Sequence, residues 1–139
     1  MAKFDLIGLG NALVDSEFHV TDSFLKKKGF EKGTMHLVDS DEQTNLLNSL
    51  EKEYGKPSLA CGGSATNTIF AASMLGSSCS YICKVGNDKN GNFYLDDLSD
   101  AGVNIDHSVM LDSNINSGTC TVMVSPDAER TMSTCLGIS

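Results

Sequence analysis

Apolar and polar residues alternate along the chain in two rhythms, one of strands and one of helices. The run 4-FDLIGLG-10 is short, apolar and closed by glycine, which predicts a buried strand opening into a loop. The segments 13-LVDSEFHV-20 and 33-GTMHLVD-39 read as two further strands, less deeply buried. In 40-SDEQTNLLNSLEKEY-54, Leu46, Leu47, Leu50 and Tyr54 share one helical face, and Ser40 followed by Gln43 has the form of a capping box. A loop, 55-GKPSLA-60, leads to a helix over Ala65–Leu75 that Gly76 closes. Then come a strand at 79-CSYICKV-85, a helix at 89-KNGNFYLDDLSDAG-102, and the entry to another strand at 103-VNID-106. The tail changes character: 118-GTCTVMVS-125 and 130-RTMSTCLG-137, joined by the turn 126-PDAE-129, predict a β-hairpin. Alternating β and α elements imply an α/β fold, a mainly parallel sheet with helices packed on it.

Composition narrows the class of protein. With 139 residues, 40% of them hydrophobic and 20% charged, the chain can bury one sizeable core, as one domain or part of a larger one. A net charge of −8 and no basic cluster beyond 26-KKK-28 argue against a nucleic-acid partner. No apolar run is long enough to span a bilayer, and 1-MAKFDLIGLG-10 lacks the parts of a signal peptide, so the expected location is cytoplasmic with no membrane partner. Cys61, Cys79, Cys83, Cys120 and Cys135 are odd in number, and all but Cys61 lie in apolar or strand-like stretches, which predicts reduced thiols. The spacing of Cys79 and Cys83, with no second pair or nearby histidine, does not suit zinc.

The candidate chemistry sits at two glycine-bearing turns. In 8-GLGNALVD-15, Leu13 stands where a dinucleotide fingerprint needs its third glycine, so NAD is discounted. Asn11 and Asp15 remain, just past a strand's carboxyl end, where open α/β sheets place ligands. An ionised aspartate accepts hydrogen bonds from neighbouring hydroxyls and an asparagine both donates and accepts, which is chemistry suited to a polyol. The competing reading has Asn11 capping a turn and Asp15 merely solvated. In 61-CGGSATNTIFAASMLG-76 the glycines permit close backbone approach, yet no lysine follows, so this is not an NTP-binding P-loop. Gly62, Gly63, Ser64 and Asn67 could hold the hydroxyls of a neutral ligand, or Ser64 could simply cap the helix. The stretch 86-GNDKNGNF-93 lacks the carboxylate spacing of a calcium loop and reads as a polar loop with a helix cap. His19, His36 and His107 have no partner spacing and are assigned no catalysis; no metal ligands are assigned.

Taken together, 8-GLGNALVD-15, 60-ACGGSATN-67, 84-KVGNDKNG-91 and 117-SGTCTVMV-124 resemble, in order and spacing, the amino-terminal half of the ribokinase-like (PfkB-type) carbohydrate and nucleoside kinases. Within that family 22-DSFLKKKGF-30, the Thr-Ile after GGSATN, and SGTC look most like the adenosine-kinase branch. Ile69 stands where many sugar kinases of the family carry a small residue, which also fits that branch. The resemblance implies a Rossmann-like αβα sandwich with a small β-sheet lid. It also implies ATP and Mg²⁺ as cofactors and γ-phosphoryl transfer to a primary hydroxyl of a nucleoside or sugar. Asn11 and Asp15 match the family's ribose-binding positions, and Gly62, Gly63, Ser64 and Asn67 its second substrate-binding turn. Strands around 13–20, 33–38 and the hairpin 118–136 would contribute to or adjoin the lid. The family's catalytic Gly-Ala-Gly-Asp segment does not occur among these residues, nor do the nucleotide-site residues of its carboxyl-terminal half. Residues 1–139 are therefore expected to be a substrate-binding portion, inactive alone, with no catalytic residue of its own and an incomplete sheet. Other readings are a ribose or furanose kinase, a non-enzymatic nucleoside- or sugar-binding module, and a subunit that pairs with a second chain, including a homodimer through the lid or an open sheet edge.

Overall fold

The computed structural model describes residues 3–105, 110–111 and 114–139; Asp106 and His107 fall outside the described residues. The described elements run β1 (Leu6–Leu9), β2 (Leu13–His19), α1 (Asp22–Lys28), β3 (Met35–Leu37), α2 (Ser40–Tyr54), β4 (Ser58–Gly62), α3 (Ser64–Met74), β5 (Cys79–Ile82), β6 (Val85–Gly86), α4 (Lys89–Asp100), β7 (Asn104–Ile105), β8 (Met110–Leu111), β9 (Gly118–Val124) and β10 (Arg130–Cys135). None of the described helices is long and apolar enough to cross a membrane. The chain divides into two compact units: Met1–Val14, Cys61–Gly118 and Leu136–Ser139 form the first, Asp15–Ala60 and Thr119–Cys135 the second.

The first unit is built on a parallel sheet of order β1-β5-β7, with Gly8 opposite Tyr81 and Tyr81 opposite Ile105. A short parallel pair, β6 and β8, accompanies it. Helices α3 and α4 pack on these strands around Val14, Ile69, Cys79, Tyr81, Val85, Tyr94, Leu95, Leu98 and Val103. Gly76 (φ +98°) and Gly102 (φ +81°) follow α3 and α4 at the positions expected, in a conformation that favours glycine. β1 departs from expectation, because Ile7 is 60% and Leu9 74% exposed. Apolar residues on both faces read as a strand buried from both sides; here β1 is the edge strand, pairs with β5 alone in its sheet, and leaves Ile7 and Leu9 uncovered. The strand expected over 79–85 is two, β5 and β6.

The second unit is built on a mixed sheet of order β3-β10-β9-β2-β4. β9 and β10 form the expected antiparallel hairpin, with Arg130 opposite Val124 and Cys135 opposite Thr119, while β10 pairs in parallel with β3. The hairpin turn is closed by Ser125 N–H donating to Glu129 O at 3.0 Å, with Ala128 at φ +67°. β2 alternates strictly, placing Ser16 and Phe18 inward, so it is better buried than β1 and reverses the expected order. Two helices cover this unit's core of Phe18, Val20, Phe24, Leu25, Leu46, Leu50 and Met123. α1 is not foreseen from the apolar pattern because it is short; Thr21 caps it and Lys26, Lys27 and Lys28 sit at its negative C-terminal end. α2 has a capping box one residue earlier than expected: Asp39 Oδ1 accepts from Glu42 N–H at 2.8 Å and Glu42 Oε2 from Asp39 N–H at 3.1 Å. Gln43, expected to complete that box, is buried, and its amide is bonded to Thr121 and Ser133. β4 replaces part of the predicted loop.

Candidate functional site

The N-terminus of α3 is bare of side-chain caps. Gly63, at φ +105°, occupies the capping position and makes no side-chain bond there, so Ser64 is the exposed first helical residue and not the cap. The first helical bond runs from Asn67 N–H to Gly63 O at 2.9 Å. The N–H groups of Ser64, Ala65 and Thr66 have no carbonyl within their own helix. Gly62 is buried behind this turn, and Asn67 lies exposed near the start of α3.

Close packing brings the Asn11 turn against the helix. A Cβ on Gly8 would lie 2.5 Å from Ile69 Cγ1, and one on Gly10 would lie 2.8 Å from Tyr81 Oη and 2.9 Å from Ala65 Cβ. The two glycines thus make room for Ala65, Ile69 and Tyr81 and do not wrap a pyrophosphate. A Cβ on Gly63 would come within 2.8 Å of Asn11 O. Between the turns opens a cleft of about 360 Å³, lined by Leu9, Gly10, Asn11, Leu13, Gly63, Ser64 and Ala65. Among the described residues no charged side chain lines it. The exposed Asn11 and Ser64 side chains and the α3 amides are its polar groups.

Behind the cleft three buried hydroxyls meet. Thr66 Oγ1 donates to Tyr81 Oη at 2.8 Å and lies 2.5 Å from Tyr94 Oη; Tyr81 Oη donates to Asn11 O at 3.4 Å and Tyr94 Oη to Gly62 O at 3.2 Å. Burial pushes both phenols above their ordinary range, so both remain protonated donors. Sequence reading missed this trio. The available signal was a tyrosine in an apolar strand and another on the inward face of a helix, each with a hydroxyl needing a partner.

Of the residues expected to bind ligand, the structure groups Asn11, Gly62, Gly63 and Ser64 in the first unit, with Asn67 on the same helix as Ser64. Asp15 belongs to the second unit. It is half-buried, and burial raises its pKa; the nearby Arg130 guanidinium opposes that rise and Glu17 adds to it. The 86–93 segment is the helix cap expected: Asp88 Oδ1 accepts from Gly91 N–H at 2.8 Å. Among the described residues no three His, Cys, Asp or Glu side chains are grouped so as to hold a metal ion. Burial pushes the Cys83 thiol up to about 11, which leaves it protonated and inert.

Comparison with known proteins agrees with this architecture. Over 99% of its length the chain is similar to adenosine kinase from Sinorhizobium meliloti, with a TM-score of 0.87 and 36% identity, covering 40% of that chain. A probable sugar kinase from Rhizobium etli gives a TM-score of 0.86 at 31% identity, again over 99% of this chain and 40% of that one. Adenosine kinase 2 of Arabidopsis thaliana is 30% identical over 122 residues, 86% of this chain and 34% of the relative. The chain thus spans between a third and two-fifths of the length of these proteins. Its fold is accordingly an incomplete ribokinase-like α/β fold in which a β-sheet unit accompanies the parallel sheet. Residues 34–139 match the pfkB family of carbohydrate kinases, and the chain belongs to that family.

Proposed function

We propose that the enzyme to which these residues belong transfers the γ-phosphoryl group of ATP to the primary hydroxyl of adenosine or a related nucleoside, and that residues 1–139 supply its nucleoside-binding part. The observation that carries this reading is the cleft between the Asn11 and Gly63 turns, where uncapped α3 amides and two exposed amide and hydroxyl side chains meet with no cation among them. Such a lining suits the hydroxyls of a neutral ribosyl group, and Leu9 and Leu13 add apolar walls. Asp15, an acceptor-only carboxylate when ionised, is suited to accept bonds from ribose hydroxyls. The adenosine kinases among the relatives favour a nucleoside; the probable sugar kinase keeps ribose or another furanose as the second reading.

The described residues do not fit the remaining parts. The cleft offers no lysine or arginine for a triphosphate, and the acidic residues form no Mg²⁺ cluster among the described residues. Phosphoryl transfer depends on positioning and on donors aimed at developing charge, so this polypeptide is expected to bind nucleoside without turning it over. Titration calorimetry of adenosine and of ribose on the 139-residue chain, beside a coupled ADP-release assay, tests both halves of the reading. Adenosine binding that weakens in Asp15→Ala is the expected result. Binding of neither ligand removes the substrate assignment, and ADP release that vanishes in Asp15→Ala shows a catalytic base within these residues.

A further inference from the structure

Four oxygen–oxygen contacts join Thr66, Tyr81, Tyr94, the Asn11 carbonyl and the Gly62 carbonyl. Each hydroxyl carries one proton and the carbonyls only accept, so three protons serve the four contacts. Thr66 gives its proton to Tyr81, and Tyr81 gives its own to Asn11 O. Only Tyr94's proton is left for both Thr66 Oγ1 and Gly62 O. The contacts therefore link one glycine turn to the other through buried hydroxyls, with Tyr94's single proton shared between Thr66 Oγ1 and Gly62 O, and the ends are the backbones of the two turns that line the cleft. Resting on the substrate-binding reading above, we infer that Thr66, Tyr81 and Tyr94 are positioning residues: a hydroxyl relay that fixes the Asn11 turn and the Gly62–Gly63 turn in the spacing the ligand requires.

The relay touches no cleft surface with its side chains; it acts through the two carbonyls. Gly63 gives the contact its precision, because the Asn11 carbonyl packs against its bare Cα and any movement of that carbonyl changes the width of the cleft. Both tyrosine rings are buried in the core, so removing one hydroxyl keeps the packing and breaks only the relay. Tyr94→Phe leaves Gly62 O without its phenol, and Thr66→Val interrupts the relay at its centre, whereas Thr66→Ser retains it.

The test uses the 139-residue chain, with adenosine and ribose as probes and two readouts. Calorimetry should show adenosine, or ribose if that is the ligand, bound about ten-fold more weakly by Tyr94→Phe and by Thr66→Val, and restored by Thr66→Ser. Amide relaxation by NMR without ligand should show increased motion at Asn11 and Gly62–Ser64 in the first two variants, with Leu98 and Val103 unchanged. Unaltered relaxation at the two turns, or an equal change throughout the unit, overturns the relay. Unaltered affinity in a chain that binds its ligand does so as well. If the parent chain binds neither probe, the substrate reading fails, and the relaxation comparison still decides the relay.

Discussion

Gly63 lies so close to Asn11 that a methyl group on its Cα would sit 2.8 Å from the Asn11 carbonyl oxygen and 3.1 Å from Thr66 Oγ1. Its φ of +105° adds a second objection to any side chain. Gly63→Ala should therefore push the Asn11 turn outward and weaken nucleoside binding about 100-fold, with a stability loss of about 1–3 kcal/mol from backbone strain. Calorimetry paired with thermal melting separates the two effects. A variant that melts early yet binds normally when folded would show the turn to be structural only.

Asp15 predicts a conflict between stability and binding. Burial raises its pKa above the ordinary 3.8, with Arg130 partly offsetting the rise. The stability this group contributes is full below the ordinary pKa and is lost as pH rises through the higher folded-state value, because the carboxylate must then ionise in a poorly solvated place. Asp15→Asn should remove that loss, melting at a higher temperature than the parent at pH 7 and at a similar one near pH 3. Its affinity for nucleoside should fall, because an amide accepts hydroxyl bonds more weakly than a carboxylate. Melting curves across this pH range, with an Arg130→Gln control that steepens the parent's loss, check the sign.

Much of this was legible before folding was known, for reasons that particular residues show. The α2 face of Leu46, Leu47, Leu50 and Tyr54 and the β9–β10 hairpin follow from local periodicity and a Pro-Asp turn, and the structure has both. What local pattern could not settle was competition between neighbours. Ser40 and Gln43 match a capping box as well as Asp39 and Glu42 do, and only the hydroxyls of Thr121 and Ser133, 78 and 90 residues away in sequence, decide that Gln43 turns inward. Exposure of Ile7 and Leu9 is likewise a matter of what lies beside β1, which its own sequence does not state. At the site, the Gly63 cap was hidden by a serine that follows it, and the Tyr81–Thr66–Tyr94 trio by the apolar residues around each member.

Asp88 joins a helix start to a distant loop. Its Oδ1 accepts from Gly91 N–H and from Ser117 Oγ, each at 2.8 Å, and its Oδ2 accepts from Ser117 N–H at 2.7 Å. Burial alone would raise its pKa, but these donors outweigh it and the net shift is downward. The stability it contributes is thus present above the ordinary carboxylate pKa and is lost as pH falls through the lowered value. Asp88→Ala should cost about 1–3 kcal/mol at pH 7, from a lost cap and stranded Ser117 donors. Urea unfolding at pH 7 and again near pH 2.5 should show the deficit shrinking in acid; a deficit independent of pH would assign the effect to packing.

Gln43 is the buried polar link between α2 and the hairpin. Its Nε2 donates to Thr121 Oγ1 at 3.0 Å and to Ser133 O at 3.1 Å, while its Oε1 accepts from Ser133 Oγ at 2.9 Å. All three side chains are buried, so water cannot replace a missing partner. Gln43→Leu matches the volume closely but strands two hydroxyls and weakens the support of a carbonyl, at about 1–3 kcal/mol for each group left unsatisfied. The single variant should accordingly lose about 2 kcal/mol or more in urea unfolding. Adding Thr121→Val and Ser133→Ala removes the stranded hydroxyls and should recover most of that loss, since taking away both partners of a buried bond is far less costly than taking away one. If instead the three substitutions add as independent losses, the link is ordinary packing and the hydrogen bonds contribute little to holding α2 on the hairpin.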